Sequence, residues 1–329
     1  MWNNTEIEDI FLSTAGQQNT YWINYQTIKN HFCQNGYSLI SIAEPNLTDH
    51  SATHIENVLR NVHKLLQSNS LSVVELYILC SAILIHDIGN LSGRQGHEIN
   101  LKDYFKADTF PSIHRDDIVL ISQIASKHGG TDCDTINSLP DTMHLDGEKI
   151  RGRKIASLVR FADELAEGKQ RTSQILLASN LIDKDSKLYH HYADILKQPV
   201  ISNDAILLEY NICLCKYNSK DLLPLLNLIF KRIKKLDKER IYCGHYCDDI
   251  QKIKKVTISI NFYKDEHDFN PISFQNNSLV NFELSGKNIH CDEQNKNTDM
   301  VQEIIKEIAN IQQVNAGLEP RDVSFFEKI

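Results

Sequence analysis

A chain of 329 residues, 41% of them hydrophobic, is long enough for one large or two ordinary domains with a substantial core. A formal net charge of −8 excludes a constitutive coat of Lys and Arg matched to nucleic-acid phosphates, although a local basic groove or a phosphate held by a metal stays open. The first residues are polar and acidic, and the longest apolar run, residues 73–85, includes Glu75 and is short for a bilayer, so the expected setting is the cytoplasm, without a membrane partner and with the 8 cysteines as free thiols.

Taken in order, the first 45 residues, with Tyr21, Trp22 and Tyr25, read as an ordered N-terminal helical extension. Residues 54–67 put Ile55, Val58, Leu59, Val62, Leu65 and Leu66 on one face of a 3.6-period helix. Residues 73–87 are apolar nearly all round, which predicts a helix central to the core, with an N-cap in Ser70-Leu71-Ser72 and a stop at Gly89. A short helix is expected over 97–105, another over 115–127 closed by Gly129-Gly130, and a long amphipathic one over 146–168. Past residue 200 the period becomes two: 206–217, 256–263 and 278–285 read as strands, with helices over 222–241 and 299–313. The prediction is a mainly α chain, with a helical domain over 46–200 and a smaller α+β domain over 201–329. The Cys243-Gly244-His245-Tyr246-Cys247 segment has ligand-type residues but lacks the second pair that a structural zinc requires.

The chemistry centres on His86-Asp87, at the end of an apolar helix. Two strongly polar side chains there are costly unless paired or bound to metal, although a hydrogen-bonded helix C-cap would also satisfy them. An imidazole with a carboxylate suits Mn²⁺, Fe²⁺, Ni²⁺, Zn²⁺ or, less well, Mg²⁺. His54 opens the preceding helix, and Asp163 lies on the apolar side of a later one, where a carboxylate needs a partner.

Three segments, His54-Ile55-Glu56-Asn57-Val58, Ile85-His86-Asp87-Ile88-Gly89 and Leu158-Val159-Arg160-Phe161-Ala162-Asp163-Glu164-Leu165, stand in the order and spacing of the HD superfamily, which the chain resembles over roughly residues 45–175. The resemblance implies an HD-domain helical bundle and a metal-dependent phosphohydrolase in which His54, His86, Asp87 and Asp163 bind a divalent ion and a metal-activated water attacks phosphorus. Relatives with two metals use extra histidines between the His-Asp pair and the last Asp. Here His97 and His128 occupy comparable places, as further ligands with Asp87 bridging two ions about 3.5–4 Å apart, or as groups that bind substrate or move protons; one ion or two is left open. His114 reads as a surface residue. His50 reads as lying beside the site or facing substrate, with capping by Asp49 an equal alternative.

Arg94 and Lys127 are the candidate phosphate clamps, with Arg160 and Arg171 weaker ones, and Glu98 and Glu164 expected to be solvated or to support site residues. Tyr104, Phe105 and Phe161 are offered as surfaces for stacking a base. Superfamily members that cleave cyclic dinucleotides typically carry Lys three residues after the paired Asp; Asn90 stands here, which counts against that activity. The expected substrate is a small phosphorylated molecule of the nucleotide type. A single-strand nuclease is the second reading, disfavoured by the acidic charge, and a nucleotide-binding regulatory or defence protein the third. A homo-oligomer or a protein contact through the C-terminal domain is left open.

Overall fold

The computed structural model describes residues 3–66, 71–129, 135–179, 181–217, 219–285 and 293–315. The expected helix end at Gln67, part of the cap at Ser70 and the stop at Gly130 lie outside these residues.

Helices α1 (Glu6–Ala15), α2 (Thr20–Asn35) and α3 (Tyr37–Ala43) form the N-terminal part. They are built into the bundle: α1 packs on α4 (Ala52–Leu65), and α2 packs on α5 (Val73–Ile85). Phe11, Trp22 and Tyr25 meet as an aromatic cluster, and the buried Glu8 takes hydrogen bonds from the Tyr25 hydroxyl at 2.5 Å and from Lys29.

α5 is the axis of the helical part. Every residue from Val74 to Ile85 is buried, at about 1.5–3 kcal/mol for each large aliphatic side chain taken out of water. The stretch Val73–Ser92 is long and apolar enough for a membrane span, but it is almost wholly buried inside the fold, as befits a core helix. Ser72 and Glu75 close a capping box at its start. The Glu75 carboxylate also receives the Arg151 guanidinium at 2.8 and 2.5 Å, which ties α5 to the start of α8 (Gly152–Glu164).

Gly89 does not stop α5, which ends at Ile85; it lies in a 3₁₀ turn, Ile88–Ser92. There a β-carbon would sit 1.9 Å from the His97 carbonyl oxygen. Glycine is required for that close approach, which seats the short helix α6 (His97–Asn100) against the turn. The expected helix over 97–105 breaks into α6 and a 3₁₀ turn, Leu101–Asp103. α7 (Arg115–Ala125) follows. The long helix expected from 146 begins only at Gly152, because Asp146-Gly147 is a hairpin turn, with φ of 50° and 83°, joining β1 (Met143–Leu145) to β2 (Glu148–Ile150).

After α8 come α9 (Gln174–Ala178), α10 (Lys184–Ile195) and a sheet of order β3-β4-β5-β6. β3 (Val200–Ile201) and β6 (Asn281–Leu284) are antiparallel edges, while β4 (Ala205–Cys213) and β5 (Lys255–Tyr263) run parallel from Ala205↔Lys255 to Cys213↔Tyr263. Parallel neighbours need a crossover. It is α11 (Ser219–Tyr246) with the short α12 (Asp248–Gln251), longer than the 222–241 expected. The strand predicted over 206–217 ends at Cys213, where the chain turns into a 3₁₀ segment. The alternation holds: Ile206, Leu208, Tyr210 and Ile212 are buried, as are Val256, Ile258, Ile260 and Phe262. Phe230 of α11 stacks on Phe282 of β6, α11 packs along α8, and α13 (Glu293–Asn315) packs on α11. The architecture is mainly α with a smaller α+β part.

Candidate metal centre

Three helices deliver the first group of donors. His54 lies in the first turn of α4, His86 and Asp87 follow the last turn of α5, and Asp163 lies near the end of α8. Their tips converge: His54 Nε2 is 3.4 Å from Asp87 Oδ2 and 3.1 Å from Asp163 Oδ1, and His86 Nε2 is 3.2 and 3.6 Å from the same two oxygens. A second group meets the other Asp87 oxygen, with His97 Nε2 at 3.5 Å and His128 Nε2 at 3.7 Å from Oδ1. Each group brings donor atoms within reach of one ion, and Asp87 belongs to both.

The surroundings aim these atoms. His86 Nδ1–H donates to the Ile83 carbonyl at 2.8 Å, and His128 Nδ1–H to the Ala125 carbonyl at 2.8 Å, which turns each Nε2 inward as the atom available to a metal. His97 Nδ1 faces the Arg94 carbonyl and Glu98, both at 3.1 Å. Asn90 donates to the Asp87 backbone oxygen at 2.8 Å and to Oδ1 at 3.1 Å, fixing the shared carboxylate. Sequence reasoning noted Asn90 only as a departure from Lys; no local pattern marks this role.

The donor set fits a divalent cation by a direct test. His54 Nδ1 and Nε2, His86 Nε2 and Asp87 Oδ2 are buried yet make no hydrogen bond within the protein. Buried polar atoms without partners are costly, and three of these four point at one place. In the second group, two imidazole Nε2 atoms face each other at 3.0 Å. With both Nδ1 atoms donating, these are two lone pairs, an arrangement that a cation between them relieves.

The electrostatics agree. Burial opposes the His86 imidazolium, but the Asp87 and Asp163 carboxylates outweigh it and hold its pKa well above the ordinary value. Burial likewise opposes the Asp87 and Asp163 carboxylates, yet the facing imidazoles keep both well below the usual range. His128 is pushed down to about 3 by burial and by its histidine neighbours, and burial lowers His97.

The other predicted residues fall as follows. Arg94 reaches the mouth, with Nη1 3.9 Å from Asp87 Oδ1 and 3.3 Å from His97 Nε2, and its side chain is 53% exposed. Lys127 is half-buried, next to His128. His50 precedes α4 rather than joining it, but its Nε2 lies 3.8 Å from Asp87 Oδ2. That nitrogen accepts from Arg171 Nη2 at 2.7 Å, and Asp49 receives the Ser51 amide at 3.0 Å. Arg171 is buried and also donates to the Asp49 carbonyl and to Glu167, so it supports His50 and has no free edge for a phosphate. Glu164 pairs with Arg232 and Lys235 of α11, and Arg160 pairs with Glu239, neither of which sequence spacing shows. His114 is exposed at the cap of α7. Phe105 and Phe161 are fully buried, so the expectation that they stack a base is corrected: Phe105 packs against Phe32 and Phe110, and Phe161 lies on the buried side of α8, where both rings serve the core. Tyr104 stays partly exposed, its hydroxyl 2.8 Å from that of Ser92. Cys243 and Cys247 are buried free thiols.

A helical bundle that gathers His54, His86-Asp87 and Asp163 around one point is an HD-type domain with a buried cluster suited to a divalent metal. The chain belongs to the HD-CE family, whose model matches residues 44–239. A search of curated proteins found no match.

Proposed function

We propose that the protein is a phosphohydrolase that cleaves a nucleotide or related phosphate ester at a centre where two donor groups sharing Asp87 would hold two divalent ions. The observation that carries this reading is the division of Asp87: Oδ2 faces His54 and His86, whereas Oδ1 faces His97 and His128. Divalent ions bound in this way lower the pKa of a water and neutralise charge developing on a phosphoryl oxygen. Mn²⁺, Fe²⁺, Ni²⁺, Zn²⁺ and Mg²⁺ all remain candidates for a mixed nitrogen and oxygen donor set.

The chain's own groups do the rest. His54, His86 and Asp163 would hold one ion and His97 and His128 the other. Among the described residues of the cluster, the Asp163 side chain is 24% exposed and that of Arg94 53% exposed, which makes this side the approach for a substrate. A phosphate entering there meets the Arg94 guanidinium, whose planar donors match phosphate oxygens and orient the ester. Lys127, next to His128 in the chain, is the second candidate for a phosphate contact.

The test is metal analysis of the purified protein, followed by a phosphate-release screen across nucleotides. His86→Ala and Asp87→Ala are expected to lose metal and turnover together, and either variant keeping full turnover would overturn the reading.

A further inference from the structure

We propose that Arg160, braced by Glu239, is a positioning residue for His128 and thereby completes the donor group of the second ion. The inference rests on the two-ion reading above. His128 lies beyond the end of α7, in a turn whose Lys127 and His128 amides bond back to the Ile124 and Ala125 carbonyls at 3.0 and 3.2 Å. The carbonyl side of that turn is held by a guanidinium arriving from α8. Arg160 is buried, and its Nη1 donates to the carbonyl of Gly129 at 3.1 Å, to that of Lys127 at 3.5 Å and to Thr135 Oγ1 at 3.0 Å. The two carbonyls flank His128.

The far side of the same guanidinium makes a two-pronged contact with Glu239 of α11, Nε to Oε2 at 2.6 Å and Nη2 to Oε1 at 2.7 Å. Its face lies 5.0 Å from the centre of the Tyr242 ring, whose hydroxyl accepts the Ile136 amide at 2.9 Å. One planar group thus spans the turn and α11, a task suited to the fork of Arg and not to the point charge of Lys. The donors of the first ion stand apart from this turn: His54 and Asp163 lie within α4 and α8, and His86 directly follows the last turn of α5.

Mn²⁺ is the probe, followed by calorimetric titration and by electron paramagnetic resonance, which separates a coupled pair of ions from a single one. Wild type is expected to bind two ions and to show the coupled signal. Arg160→Gln should keep the first ion with unchanged affinity and bind the second about 10–100-fold more weakly, the usual cost of losing an outer support of a ligand, and so match His128→Ala. Glu239→Gln should move the same way, and Arg160→Lys should not restore the coupled signal. Two ions bound by Arg160→Gln as in wild type, or equal weakening of both, overturns the proposal. Where Arg160→Gln fails to fold, Glu239→Gln decides by the same criteria. A wild type that binds a single Mn²⁺ sinks the two-ion reading itself, a different failure from two ions bound regardless of Arg160.

Discussion

Asp87→Asn is the sharpest perturbation, because it keeps the side-chain shape while removing the charge that both donor groups share. Each group faces one oxygen of this carboxylate, Oδ2 at 3.2–3.4 Å from His86 and His54 and Oδ1 at 3.5–3.7 Å from His97 and His128. An ion that binds only the folded protein stabilises it by about 2.7 kcal/mol at one hundred times its dissociation constant. For a chain of 329 residues, each kcal/mol moves the melting temperature by about 1.5 °C. Wild type with saturating Mn²⁺ should therefore melt about 4 °C higher per bound ion than with chelator. Asp87→Asn should lose nearly the whole of that rise, whereas His128→Ala should lose about half, keeping the group of His54, His86 and Asp163. The assay is a thermal melt of each variant with and without Mn²⁺. An Asp87→Asn protein that gains as much as wild type would refute the shared role of this carboxylate.

Other outcomes follow from the same geometry. Gly89→Ala forces a β-carbon onto the His97 carbonyl, 1.9 Å away, so it should displace α6 and weaken the second ion, read by Mn²⁺ titration; unchanged titration would refute the close-packing role of Gly89. In the metal-free protein the raised His86 pKa keeps that imidazole protonated at neutral pH, whereas His128, near 3, is neutral. Since a ligating imidazole must be neutral, metal affinity should rise with pH until the His86 pKa is passed and fall as pH drops, with about one proton released on binding at neutral pH. Calorimetry in buffers of different ionisation enthalpy reads that proton, and buffer-independent heats would contradict it. Arg94→Ala should leave metal content intact and raise KM for the phosphate substrate by about tenfold or more, the loss of one charge-assisted contact of about 1.5–3 kcal/mol; steady-state kinetics beside metal analysis decide it.

The helical core was legible because its signals are local. The all-round apolar character of α5, the one-sided face of α4 and the alternation in β4 and β5 are each written in a dozen consecutive residues, as are the cap at Ser72 and the polar pair that ends α5. Misjudged boundaries have local causes too: Asp146-Gly147 is a hairpin signal that the following amphipathic pattern hid, and Gly89 looks like a helix stop although it serves a contact with His97. Phe105 and Phe161 show the limit of residue type, since a ring suited to stacking a base is equally suited to a core.

By itself, then, the sequence determined which residue types were present, in what order and on which faces of which helices. Only the folded chain decided that Asp87 divides its two oxygens between two sets of imidazoles, that Arg94 stands at the mouth while Arg171 is consumed by His50 and Glu167, and that α11 braces the turn carrying His128 through Arg160. The contacts that decide it include His128 with Asp87, Arg160 with Glu239 and Arg171 with His50, which join residues far apart in the chain. Their geometry follows from how the helices pack, and no pattern of period two or 3.6 along the chain encodes it.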